Sequence, residues 1–182
     1  MFNGIIFKTG KVKKIFKNKD SIYVGIQSKT NLNMKDIGAS VCCDGICLTL
    51  TEIKNKILYF YVSNETLKKT NFKNLKKNQI INLEKSLIYG QRISGHFSQG
   101  HVDSTAIVKK INIIDNSWLI KFQILDKKLN KFLTVKASIC INGVSLTISK
   151  IYKNFFEINV IPHTLKLTNL NKLKRNSIVN VE

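Results

Sequence analysis

The feature that most constrains this chain is that it states one half of itself twice. Asp44-Gly45-Ile46-Cys47-Leu48-Thr49 returns as Asn142-Gly143-Val144-Ser145-Leu146-Thr147. The match holds at a constant separation of 98 residues from Gly38–Glu84 to Lys136–Glu182. Ser40 falls on Ser138, Thr66 on Thr164, Asn71 on Asn169, and Ile81-Asn82-Leu83-Glu84 on Val179-Asn180-Val181-Glu182. Earlier in each half the separation is 96, placing Val12-Lys13-Lys14-Ile15 over Val108-Lys109-Lys110-Ile111. A gap-free match of this length is an internal duplication. Two units are too few for an open solenoid, so two closed domains are expected, divided as 1–95 and 96–182. Cores this small gain stability from docking on each other or on a partner chain.

Each half reads as about six short strands with turns every eight to twelve residues, the pattern of a small barrel or sandwich. In the first half a Thr-Gly turn is expected between Phe2–Phe7 and Gly10–Phe16, followed by a strand at Ser21–Gln27 and a loop with a helical turn at 31–37. Ser40–Cys43 and Ile46–Ile53 flank the Asp44-Gly45 hairpin, Ile57–Val62 follows an Asn-Lys turn, and Gln79–Glu84 closes the unit. Asn64–Phe72 reads as helical turns with Thr66 as the cap. The second half repeats the order with Ser104–Ile113, Ser117–Gln123, Ala137–Ile141, Val144–Ile151, Phe155–Val160 and Ser177–Glu182, and a helical turn at Lys127–Phe132. Asp-Gly and Asn-Gly suit two-residue hairpins because both residues must take positive φ.

Beyond those turns, side chains alternate faces, so Cys47 and Thr49 share one face and Ser145 and Thr147 the equivalent face. A thiol in one copy and a hydroxyl in the other allow the two pockets different tasks. The connector Gly90–Asp103 holds three glycines and two histidines, His96 and His101, which a plain linker does not need.

The formal charge of +19 raises the question of nucleic acid or an anionic membrane. The lysines are scattered among Asn and Ile with no basic run, and arginine occurs only at Arg92 and Arg175, so the charge reads as solvated surface and neither partner is expected. No apolar run approaches a membrane span and no export signal precedes the first strand. Four cysteines, Cys42, Cys43, Cys47 and Cys140, are expected as free thiols in a reducing cytoplasm, without paired metal-ligand spacing.

These residues resemble the riboflavin synthase family. The resemblance rests on Met1-Phe2-x-Gly4-Ile5-Ile6, Gly38-Ala39-Ser40-Val41 through Gly45-x-Cys47-Leu48-Thr49, Glu65-Thr66, Gly95-His96, Gly100-His101-Val102-Asp103, Asn142–Thr147 and Ile161-Pro162-His163-Thr164-Leu165. It implies an all-β chain of two tandem six-stranded Greek-key barrels, assembled as a homotrimer and associating with lumazine synthase. It implies the last step of riboflavin synthesis: two molecules of 6,7-dimethyl-8-ribityllumazine exchange a four-carbon unit, giving riboflavin and 5-amino-6-ribitylamino-uracil. It implies no metal and no organic cofactor. The site is expected between the first barrel of one subunit and the second barrel of its neighbour. The chain stops at Glu182, where family members continue through an acidic residue and a C-terminal helix, so a weakened trimer is expected.

The resemblance assigns catalytic roles to His101, Ser145, Cys47 and Thr147. Proton transfer at the acidic position-7 methyl of the lumazine suits a histidine titrating near neutrality, and His101 is the candidate. Exposed backbone edges are expected to bind the ring's amide-like rim. In the first unit these are Gly4, Ile5 and Ile6; Ser40; Cys47, Leu48 and Thr49; and Tyr61, Val62, Ser63, Asn64, Glu65 and Thr66. In the second they are Gly100, His101 and Val102; Ser145, Leu146 and Thr147; and Asn159, Val160, Ile161, Pro162, His163 and Thr164, with Lys136 reaching in.

Overall fold

A computed structural model describes residues 1–182. Its strands are β1 Lys8–Lys17, β2 Ser21–Ser28, β3 Ser40–Cys43, β4 Ile46–Lys54, β5 Ile57–Ser63 and β6 Ile80–Lys85. The second half repeats them as β7 Ser104–Ile114, β8 Ser117–Ile124, β9 Ser138–Ile141, β10 Val144–Tyr152, β11 Phe155–Val160 and β12 Ile178–Val181. Two short helices, α1 Asn64–Lys69 and α2 Pro162–Leu167, follow β5 and β11. All pairings are antiparallel, and each half closes on itself. The first barrel runs β1-β2-β5-β4-β3-β6, and the second has the same order with each strand replaced by its repeat.

The duplication extends to irregularities that composition does not reveal. Register shifts interrupt β1 between Val12 and Lys14 and β7 between Val108 and Lys110. Others interrupt β4 between Leu50 and Glu52 and β10 between Ile148 and Lys150. Each bulge adds a residue on one strand and sharpens its bend, which lets six short strands close. Asp44-Gly45 and Asn142-Gly143 both have positive φ at both positions, as the tight hairpin requires.

Two local expectations are corrected. Thr9-Gly10 is not a turn: β1 runs through it, with Gly10 facing Ile81 and Ser28. A Cβ at Gly10 would lie 2.4 Å from the Ile26 side chain, so this glycine serves close packing between strands. Thr66 is not the cap of α1. Ser63 is, its hydroxyl accepting from the Thr66 N–H, because the cap sits one residue before the helix while the N2 or N3 amide donates.

The barrels hold separate cores, one built on Val24, Leu50, Phe60 and Phe72, the other on Ile120, Phe122, Phe156 and Leu170. Between them lies a buried polar seam with near two-fold symmetry. The Asn82 N–H donates to Asp44 Oδ1 (2.7 Å), and the Asn180 N–H to Asn142 Oδ1 (2.8 Å). The Asn82 side chain crosses to the Asn142 carbonyl (2.9 Å), and Asn180 to the Asp44 carbonyl (2.8 Å). The Asn169 N–H donates to Asn82 Oδ1 and the Asn71 N–H to Asn180 Oδ1. The hairpin turns meet here so closely that a Cβ on Gly45 would lie 2.9 Å from the Gly143 nitrogen. The network fixes one relative placement of the barrels, because any other leaves these asparagine amides without partners; Asp44 Oδ2 is its one unpartnered oxygen.

Candidate functional site

The pairing pattern opens a cleft in each barrel at the same place. β4 pairs with β3 over Ile46–Thr49 and with β5 only from Leu50 onward. β5 pairs with β2 as far as Ser63, but with β4 only over Ile57–Phe60. The start of β4 and the end of β5 therefore diverge and expose backbone edges to each other. In the second barrel, Val144–Thr147 of β10 and Asn159–Val160 of β11 part likewise. Diverging edges leave N–H and C=O groups without a strand partner, the kind of edge to which a planar group with an amide rim can bond.

The segments that enter these clefts come from the opposite half from the one expected. Gly4–Ile6 was expected to serve the first unit, yet the Ser145 N–H donates to the Gly4 carbonyl (2.8 Å), and Ile6 is buried in the second barrel's core. Gly100–Val102 was expected to serve the second unit, yet the Cys47 N–H donates to the Gly100 carbonyl (2.8 Å), and Val102 packs on the first core. The cause is the seam. It sets the barrels back to back about a near two-fold, so the chain leading into each barrel first crosses the other barrel's open edge. Both crossings require glycine: Gly4 has φ +70° with its missing Cβ 2.6 Å from Ser145 Cβ, and Gly100 has φ +77° with its missing Cβ 2.7 Å from Cys47 Cβ. Gly100→Ala should therefore weaken ligand binding at the first cleft at least tenfold, and Gly4→Ala at the second. Calorimetric titration checks this, and unchanged affinities would contradict the crossing.

In the first cleft, of about 200 Å³, Cys47 stands with Ser63, Glu65, Thr66, Gly100, His101 and Val102. His101 is exposed, with Nδ1 3.1 Å from Gln99 Oε1. Ser63 and Thr66 hydroxyls are 3.0 Å apart, and Glu65 pairs with Lys69. Ser40 faces Thr49 across the β3–β4 pair. Tyr61 is exposed and Asn64 half-buried.

In the second cleft, Ser145 Oγ lies 2.7 Å from His96 Nδ1, and His96 Nε2 lies 3.6 Å from Cys140 Sγ. Burial pushes the His96 pKa below its usual value, against the pull of Glu182, so the ring is neutral at pH 7. Burial pushes the Cys140 thiol up to about 12, so it stays protonated. With its proton on Nε2, His96 accepts from the Ser145 hydroxyl. Sequence reasoning placed His96 in the connector but gave it no role. Its signal was the preceding glycine: a Cβ on Gly95 would lie 2.0 Å from the Asn3 carbonyl and 2.9 Å from Ser145 Cβ.

Thr49 and Thr147 are exposed on the same faces as Cys47 and Ser145, while Leu146 is half-buried against the second core. Ile5 and Thr164 are half-buried, and Asn159, Ile161, Pro162 and His163 are exposed at the second cleft's rim. Lys136 is exposed with φ +70°, where the first copy has Gly38 at +92°, and its side chain bonds to no other residue. The side chains of Ile6, Leu48, Val62 and Val160 point into the cores, so only their backbones are available to the clefts.

A family model described as "Lumazine binding domain" matches residues 3–86 and again 99–182. Riboflavin synthase of Actinobacillus pleuropneumoniae is 36% identical over 182 residues, covering 100% of this chain and 84% of that protein. Riboflavin synthase of Escherichia coli (strain K12) is 36% identical over 183 residues, covering 100% and 86%. Among solved structures, LumP complexed with riboflavin superposes with a TM-score of 0.88 at 29% identity, covering 100% of this chain and 98% of that one. LumP complexed with 6,7-dimethyl-8-(1'-D-ribityl) lumazine gives 0.86 at 27%, with the same coverage. The repeated barrel, the repeated cleft and full-length similarity agree, and the chain belongs to the riboflavin synthase family.

Proposed function

We propose that this chain is a riboflavin synthase, a transferase that moves a four-carbon unit between two molecules of 6,7-dimethyl-8-ribityllumazine and releases riboflavin and 5-amino-6-ribitylamino-uracil. One observation carries the reading: each cleft holds a nucleophile-capable side chain and a connector histidine, Ser145 bonded to His96 in the second and Cys47 lining the first together with His101. A reaction between two copies of one substrate calls for two such clefts. Holding both rings in place makes their encounter effectively unimolecular, a gain of several kcal/mol or about 7–11 at best.

The chain's own groups have distinct tasks. The open edges of β4–β5 and β10–β11 hold the ring rims, with Ser40, Ser63, Thr66 and Thr164 beside them. Ser145 Oγ takes the methyl proton as its own hydroxyl proton passes to Nδ1 of neutral His96, and the reverse transfer returns it, with His101 and Cys47 acting on the other ring and Thr49 and Thr147 orienting both. The functional halves follow the division 1–95 and 96–182, each sending its leading segment to the other. The four free cysteines support a reducing, cytoplasmic setting. No helix is long and apolar enough to cross a membrane.

We place the reacting pair between the first cleft of one subunit and the second of its neighbour in a homotrimer, with lumazine synthase as the neighbouring activity. Net charge of +19 opposes that assembly most at low salt. The test is to incubate the chain with the lumazine over a dilution series. Riboflavin and the pyrimidine should form in equal amounts, with specific activity rising with protein concentration. Bound lumazine without riboflavin at any concentration would favour a ligand carrier instead, the reading that the likeness to LumP supports.

A further inference from the structure

The last strand of each barrel, β6 and β12, ends in the same short pattern, Ile81-Asn82-Leu83-Glu84 and Val179-Asn180-Val181-Glu182. Alternation sends Ile81 and Leu83 into the first core and turns Asn82 and Glu84 outward; Val179 and Val181 repeat this in the second. Asn82 and Asn180 are used in the seam. Neither glutamate packs into a core; Glu182 reaches His96 only through its charge, and both carboxylates are engaged by backbone amides.

The Glu84 carboxylate accepts the N–H of Asn3 at Oε1 (2.8 Å) and of Gly4 at Oε2 (3.0 Å). The Glu182 carboxylate accepts the N–H of Gln99 at Oε1 (2.6 Å) and of Gly100 at Oε2 (3.0 Å). Each side chain thus grips two consecutive amides of the crossing segment, one with each oxygen. The carbonyl of the second gripped residue then accepts from the opposite cleft: Gly4 from Ser145, Gly100 from Cys47. Asn3 is held further, its side chain accepting from the Gly95 N–H (2.7 Å), the residue before His96. Burial pushes the Glu84 carboxyl up and outweighs the amides of Asn3, Gly4 and Ile5, which pull it down, so those bonds offset only part of the cost of keeping it ionised here.

We infer that Glu84 and Glu182 are reciprocal positioning residues: Glu84 of the first barrel sets the second barrel's cleft, and Glu182 of the second sets the first's. The inference rests on the reading of the two clefts as lumazine sites and adds how each is held to shape. Carboxylate is the chemistry this needs. It accepts two N–H groups side by side, whereas the amide of glutamine has one acceptor and would turn its NH₂ toward the other donor.

The structure supplies its own reporter. Trp118, the only tryptophan, pairs with Val160 on β11 beside the second cleft. Quenching of Trp118 by added lumazine therefore reads the second cleft, while equilibrium dialysis reads both. With Glu84→Gln, Trp118 quenching should require at least tenfold more lumazine while first-cleft binding persists, since hydrogen bonds to a charged group contribute about one to two decades in affinity. Glu182→Gln should spare Trp118 quenching and weaken the other site. Glu84→Asp keeps the charge and should recover part of the loss. Amide hydrogen exchange should quicken at Asn3 and Gly4 in Glu84→Gln without any ligand. Wild-type-like quenching in Glu84→Gln, or loss of the first site in its place, overturns the inference, the latter marking local damage to Glu84's own barrel. A wild-type chain that binds no lumazine defeats the proposed function. The clamp is then judged by exchange alone, and unchanged exchange at Asn3 and Gly4 in both Glu84 variants overturns it.

Discussion

Chains carrying His96→Ala should turn over lumazine at least a hundredfold more slowly than the unaltered chain, since a positioned general base contributes about 10²–10⁴ in rate. Ser145→Ala should fall comparably and the double variant little further, because the two groups, 2.7 Å apart, act as one unit. The pH dependence has a definite sign. Burial depresses the His96 pKa, so the neutral base persists as pH falls through 6.5 and is lost only below it. The acid limb of the rate should lie below the usual histidine range and vanish in His96→Ala. Steady-state kinetics from pH 5 to 8 measures both. A limb centred at 6.5 or above, or one surviving in His96→Ala, removes His96 from proton transfer.

The second large effect is in the seam. Asp44 is fully buried, its Oδ2 has no partner, and burial pushes its pKa from 3.8 to about 8, against the pull of the Asn82 N–H and the Asn169 side chain. Lys76 and Lys172 line the groove of about 600 Å³ outside it, and Cys43 adjoins it. Between pH 3.8 and 8 the folded chain holds a proton that the unfolded chain has released. This contribution is therefore complete below pH 3.8, declines across the window, and is gone above pH 8. From pH 6 to 8 the loss is about 2–3 kcal/mol, at about 1.4 per unit. For a chain of this length that lowers the thermal midpoint by roughly 5–10 °C. Asp44→Asn should flatten the dependence, since Asn142 already holds the equivalent position in the other turn. Thermal melts of both chains at pH 6, 7 and 8 decide it, and parallel slopes would assign the titration elsewhere.

The repeat made most of the fold legible before any coordinates. Phe155–Val160 and the helical turn at Lys127–Phe132 fall where the pattern put them, and most other strands lie within a residue or two. The errors have physical causes. Thr9-Gly10 carries a turn signature, but its glycine serves close approach to Ile26 and Leu83, which local sequence does not show. Cys47, Thr49, Ser145 and Thr147 were legible because strand alternation is a local rule. The destination of Gly4–Ile6 and Gly100–Val102 was not, because an apolar Ile6 or Val102 fits either core equally well on paper. What sends each to the other barrel is the seam, and the seam needs Asn71, Asn82, Asn169 and Asn180 from both halves together. Read singly, those asparagines look like turn residues.

The exchanged leading segments also change what dilution does to this chain. Were the halves separate molecules, neither cleft would be complete until two of them met, and ligand capture would fail as they thinned out. Covalent linkage replaces that meeting with a local concentration in the millimolar range. Each pocket is thus finished within one chain, and its hold on a single ring is indifferent to how many other chains are present. Contact between two rings held by different chains has no such protection. On the proposed placement of the two rings on different chains, a sparse solution would store the lumazine without converting it, and crowding the chains together would switch storage to synthesis.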